Sequence, residues 1–73
     1  MEPNDIAMIQ ENLEHNPELA KLWAEHLELE KKLEEMNQRI YLSTEEQVER
    51  KRLQKLKLAG RDRIEQILAE LRA

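Results

Sequence analysis

A chain of 73 residues with 38% charged and 40% hydrophobic side chains, one Gly and two Pro has room for one small domain and few places to turn, which argues against an all-β fold. Leu, Glu, Lys, Arg, Gln and Ala dominate, as in long amphipathic helices. The lack of Cys excludes disulfides, thiol catalysis and Cys-based zinc sites, and no apolar run nears the ~20 residues that cross a bilayer.

In chain order, Pro3-Asn4-Asp5 supplies N-cap chemistry, and Ile6, Ile9 and Leu13 follow on one helical face. This predicts a short helix over residues 5–15, ended where Pro17 pushes Asn16 out of the helical region. Asn16 then caps a second helix with Pro17 at its first position, where the missing N–H costs nothing. Leu19, Leu22, His26, Leu29, Leu33, Met36 and Ile40 alternate in steps of three and four, a heptad seam that predicts one long helix over residues 17–41 packed on a partner. Trp23 and Leu27 widen its apolar surface in the first half, and the short helix is the expected cover for that shoulder.

Residues 42–44 form the expected turn. Ser43 with Glu46, or Thr44 with Gln47, fits the capping-box pattern, so a second long helix is expected over residues 45–71. Its stripe is Leu53, Leu56, Ile64, Ile67 and Leu71, with Gly60 inside it and Leu68 at its edge. The predicted fold is therefore all-α: an antiparallel two-helix hairpin, coiled-coil-like, with a short N-terminal helix. Pairing outward from the turn sets Leu33 against Leu53, Leu29 against Leu56, His26 against Gly60, Leu22 against Ile64 and Leu19 against Ile67. It also brings Glu25, Glu28 and Glu30 alongside Arg61, Lys57 and Lys55. A core so thin is marginal alone, which predicts either closure by the N-terminal helix or self-association, a dimer first.

Charge is split along the chain. Residues 1–46 carry twelve acids against four Lys/Arg, and residues 47–73 carry eight Lys/Arg against four acids. Seven of those eight cations are Arg50, Lys51, Arg52, Lys55, Lys57, Arg61 and Arg63. Such a run can grip phosphates, but no aromatic residue is interleaved with it and the chain as a whole is acidic. Pairing with the acidic helix is the preferred reading, and nucleic-acid binding the alternative.

The stretch Glu25-His26-x-x-Leu29-Glu30-x-x-Leu33, with Leu53, Lys57-Leu58, Arg61-Asp62 and Ile64 further on, resembles the YdcH-like family of small uncharacterised bacterial helical hairpins. The likeness covers roughly residues 18–68. It implies a two-helix fold in a cytoplasmic bacterial protein and no activity. Gly60 stands where the family pattern carries an apolar residue.

Among candidate sites, His26 is the one polar residue in the seam, and a structural role is preferred over a pH switch, metal ligand or proton carrier. A bulky ring facing a glycine predicts that Gly60→Leu crowds the seam and couples to His26→Ala. Glu11/His15 and His26/Glu30 stand four apart, but two ligands make no metal site. Ser43 and Thr44 read as caps, and no Gly-rich phosphate loop exists. No catalytic, metal or cofactor residues are assigned, and the chain is not expected to be an enzyme. Arg50, Lys51, Lys55, Leu58 and Asp62 form the candidate interaction surface. The expected function is a non-catalytic protein-interaction or self-assembly module in the cytoplasm, with no membrane partner.

Overall fold

A computed structural model describes residues 2–73. Three helices follow in order, α1 (Pro3–Asn12), α2 (Pro17–Asn37) and α3 (Thr44–Arg72), and no strand is present among the described residues. At the usual rise of ~1.5 Å per residue, the 29 residues of α3 account for the 44 Å length of the molecule, which is only 19 by 17 Å across.

Local chemistry explains each boundary. The helix starts earlier than expected at α1, because Pro3 takes the first helical position and the Glu2 carbonyl accepts from the amides of Asp5 and Ile6. It also stops earlier, at Asn12, whose side chain bonds back to the Met8 carbonyl at 2.8 Å. Asn16 caps α2, its Oδ1 accepting from the Leu19 amide at 3.1 Å. Of the two capping boxes the sequence allows, Ser43 with Glu46 forms: Ser43 Oγ accepts from the Glu46 amide (3.1 Å) and the Glu46 carboxylate accepts from the Ser43 amide (3.3 Å).

The end of α2 departs from expectation. The helix stops at Asn37 rather than reaching residue 41, and residues 38–43 cross to α3. Ile40, assigned to the seam by its spacing, lies in this connection fully exposed, with Tyr41 beside it at 81%. The heptad pattern is blind to the residues a chain needs to cross between two packed helices. Two polar braces hold the connection instead: Arg50 Nε donates to Asn37 Oδ1 at 3.0 Å, and Arg39 pairs with Glu46.

Helices α2 and α3 pack along each other, and α1 folds over one end of the pair. There Ile9 is buried among Leu19, Ile64, Ile67 and Leu68, with Met8, Leu13, Leu22 and Trp23 packed around them. Leu68, placed by the sequence at the edge of the stripe, is therefore fully buried, while Leu71 beyond it remains 41% exposed. Leu27 also escapes the expected cover and is 47% exposed. The α3 stripe is rotated from the sequence reading toward Lys57 and Leu68, leaving Leu56 on the flank rather than in the core.

Two outcomes test the role of α1. Ile9→Ala removes a fully buried side chain and is expected to lower stability by about 2–5 kcal/mol in urea denaturation, with a red shift of Trp23 emission, whereas Ile6→Ala has a smaller effect. An unchanged spectrum and midpoint for Ile9→Ala would show that α1 does not close the end. The second concerns acid. The Arg72 guanidinium beside Asp5 holds its carboxyl below the ordinary value of 3.8, although burial pushes the other way. A carboxyl whose pKa falls on folding stabilises the folded state above its unfolded value, and that contribution is lost as pH drops through the lower folded value. The α1 clamp is thus expected to stay intact at neutral pH and to loosen only in acid. Asp5→Asn should remove that part of the acid dependence, read by Trp23 emission against pH.

Candidate functional site: an open groove beside a buried histidine

The α2–α3 seam is sealed unevenly. On one side, an open groove of about 640 Å³ runs between the helices. Leu22 and Leu29, seven residues apart on α2, line one wall, and Leu56, Ala59 and Gly60 of α3 line the other. Glu25, Glu28 and Lys32 of α2 and Arg63 of α3 form its charged rim. Leu56 is 47% exposed, because α1 covers only the end of the pair and no third helix reaches this far.

Gly60 lies in this groove, not against the histidine. A Cβ built at Gly60 would meet nothing within 4 Å, which corrects the expectation that His26 and Gly60 fill each other's space. The His26 ring turns instead onto Trp23, stacked with centroids 5.5 Å apart and planes 14° from parallel. Its Nε2 lies 3.1 Å from Glu30 Oε1, and the same oxygen lies 3.6 Å from Lys57 Nζ. His26 is only 6% exposed, and its Nδ1 is buried with no hydrogen-bond partner. Among the described residues no three His, Cys, Asp or Glu side chains gather as a metal site would require.

The remaining seam positions divide by depth. Leu19, Leu33, Leu53, Ile64 and Ile67 are buried, and Leu22, Leu29, Met36 and Gly60 are half-buried. Leu56, Ile40 and Leu71 are exposed, so a regular spacing placed three positions too deep.

The basic run is less neutralised than expected. Only Lys57 and Arg63 pair across to α2, with Glu30 and Glu18 respectively. The Arg63 contact is bidentate, at 2.8 and 3.2 Å, and the Glu18 carboxylate raises the guanidinium's pKa above its ordinary value. Arg52 and Arg61 bind Glu49 and Glu65 of their own helix, and Glu28 binds Lys32 of its own. Of the three acids expected alongside Arg61, Lys57 and Lys55, Glu30 meets Lys57, Glu28 turns to its own helix, and Glu25 has no ion pair among the described residues. Lys51 and Lys55 have none either, and Arg50 meets only the neutral Asn37 carboxamide. Lys51, Lys55, Leu58 and Asp62 are exposed on α3, while Arg50 is half-buried and reaches toward the end of α2, where it lines a shallow cavity together with Lys51.

Two stability outcomes follow from this geometry. In dilute solution Gly60→Ala is expected to raise stability by about 1 kcal/mol, since a helix-interior glycine is replaced and the methyl meets open space. That gain should simply add to the effect of His26→Leu, because the two positions are not in contact. His26→Leu should leave the chain at least as stable, as it removes a buried nitrogen without a partner. A loss above about 2 kcal/mol in urea denaturation would contradict this account.

No helix is long and apolar enough to cross a membrane among the described residues. No curated protein and no solved structure matches the chain significantly. One family model, described as a protein of unknown function (DUF465), matches residues 19–68, a span that holds nearly all of α2 and most of α3 and agrees with the YdcH-like resemblance. With most of its length and its packed helix pair inside that match, the chain belongs to the DUF465 family.

Proposed function

We propose that the protein is a non-catalytic, cytoplasmic interaction module in which α2 and α3 form an antiparallel hairpin that offers its groove to a helix of a protein partner. The order of the cross-helix contacts supports the antiparallel reading: Asn37, Glu30 and Glu18 descend along α2 as their partners Arg50, Lys57 and Arg63 ascend along α3. The observation that carries the function is the open apolar groove, where Leu22, Leu29 and Leu56 stand half-wet between charged rims. An amphipathic helix laid into such a groove buries its own stripe and completes a seam that two helices leave unfinished.

A second reading, nucleic-acid binding by α3, draws support from Arg50, Lys51 and Lys55, which have no carboxylate partner among the described residues, and from the exposed Tyr41 in the connection beside them. Tyr41 is an aromatic platform that the linear order of the basic run conceals.

A photo-crosslinking side chain at Ala59, inside the groove, and a control at Glu35, on exposed α2 surface, separate the readings. In nuclease-treated cells the module should give defined protein adducts from position 59 and none from position 35. Adducts lost on nuclease treatment, together with steeply salt-dependent RNA binding abolished by neutralising Arg50, Lys51 and Lys55, would establish the second reading instead.

A further inference from the structure

We propose that the occupant of the groove is a second copy of this chain, seated face to face about a two-fold axis along the hairpin so that α2 of each copy lies on α3 of the other. The inference rests on the interaction-module reading above and names its partner.

Gly60 is the first observation. A glycine inside a helix costs about 1 kcal/mol relative to alanine, and it is commonly kept where another backbone comes close. Nothing in the chain itself comes close, since a Cβ at this position would meet no atom within 4 Å. The space beside Gly60 opens into the groove, so the approach that a glycine permits comes from outside the molecule. A helix entering there can sit lower over Gly60 and Ala59 than over any larger pair, bringing Leu56 of one copy toward Leu29 of the other, which stands at about the same height along the axis.

Charge chooses the partner. The groove carries Glu25, Glu28 and Lys32 on the α2 side, where Glu28 and Lys32 pair with each other and Glu25 is the acid left over, and a cation, Arg63, on the α3 side. A two-fold axis along the hairpin exchanges the sides, so the left-over acid of each α2 meets the cation of the other copy's α3. Glu25, without an ion pair of its own, then faces the partner copy's Arg63, and the contact occurs twice by symmetry. Arg63 binds Glu18 through two of its five N–H groups and Gln66 through a third, and so has donors to share. The surface is thus complementary to itself, which an arbitrary partner helix would have to match by chance. Size agrees as well. The whole molecule is 44 Å long and 19 Å wide in outline, so burying the ~800 Å² per partner of a standard stable interface takes most of the length of one side, as a face-to-face pairing of α2 and α3 does. The product is a four-helix arrangement in which each pair supplies the cover the other lacks.

The experiment measures sedimentation of the full chain over a wide concentration range, with circular dichroism to confirm helicity. The wild type should dimerise, and Leu56→Glu should sediment as a monomer of unchanged helicity. Gly60→Leu should weaken the dimer at least tenfold while melting no lower than wild type when dilute, since its side chain has open space within the monomer. Glu25→Arg and Arg63→Glu should each weaken self-pairing, and an equal mixture of the two should restore a dimer, because one symmetric contact then pairs the swapped charges and the other pairs the native ones. Arg63→Glu also loses Glu18, so an equal mixture of Glu25→Arg with Arg63→Ala, which keeps one native contact and no swapped one, serves as a control that should rescue less. A wild type that stays monomeric at every concentration, a Gly60→Leu dimer as tight as wild type, or no rescue in the charge-swapped mixture would overturn the proposal. The crosslinker at position 59 separates this failure from that of the parent reading. Adducts to a second copy support the proposal, and adducts only to another protein overturn it while leaving the module intact. Absence of any protein adduct overturns both.

Discussion

Burial of Ile9 against Leu19, Ile64, Ile67 and Leu68 is the contact on which the rest of the structure depends. Two helices packed side by side share one seam, and a seam alone leaves both flanks of each stripe open to water. The short α1 helix removes that weakness at one end of the molecule only. It inserts a fully buried side chain between the start of α2 and the last turns of α3 and ties its first turn to the far end of α3 through Asp5 and Arg72. This corner gathers five of the seven buried apolar side chains, so the other two, Leu33 and Leu53, hold the turn-proximal half with polar braces beside them. Stability is therefore unevenly spread, and the half beyond α1 is the natural place for opening or for a partner.

Much of this was legible in the sequence because it depends on local chemistry. A proline after an asparagine starts α2, a Ser-x-x-Glu box starts α3, and steps of three and four mark the buried sides of both helices. What was not legible depends on where helices cross. Periodicity carried the seam on to Ile40, though the chain had already left the helix at Asn37 to make its crossing. Periodicity also treated Leu56 and Leu68 as core and edge, whereas the rotation of α3 under α1 exchanges them. A sequence stripe fixes a face to within a residue or so on the helical wheel, and only packing chooses which edge of the stripe goes under.

The ion pairs show the same division between local and tertiary information. Opposite charges in the two halves of the chain foretold a helix pair that attracts, but not which residues meet. Lys57 reaches Glu30 and Arg63 reaches Glu18, while Arg61 and Arg52 take carboxylates one turn away on their own helix. Such neighbours compete with cross-helix partners at little entropic cost, because both side chains already stand on one rigid surface. Exposed pairs of this kind add little to stability, so their arrangement matters chiefly for the charge they leave over. What is left over is a basic outer side on α3 and an acid, Glu25, at the edge of an apolar groove.

Three departures from the rules of a stable monomer fall in one band across the middle of the hairpin. His26 buries a ring nitrogen without a partner, Gly60 interrupts a helix with no close neighbour to require it, and Leu56 leaves a large side chain half in water. Each alone is an ordinary imperfection. Their concentration in one place is not what a chain optimised only to fold would show, since the clamp a few turns away is densely packed and free of such conflicts. Two of the three, Gly60 and Leu56, line the same groove and become favourable together when an apolar surface closes over it: the glycine admits the approach and the leucine is dried by it. His26 does not line the groove and does not share in that gain. Its ring is held instead by Trp23, stacked on it, and by Glu30, whose carboxylate Lys57 of α3 shares, so the histidine serves the packing of the hydrophobic end while the groove is left to α2 and α3 alone.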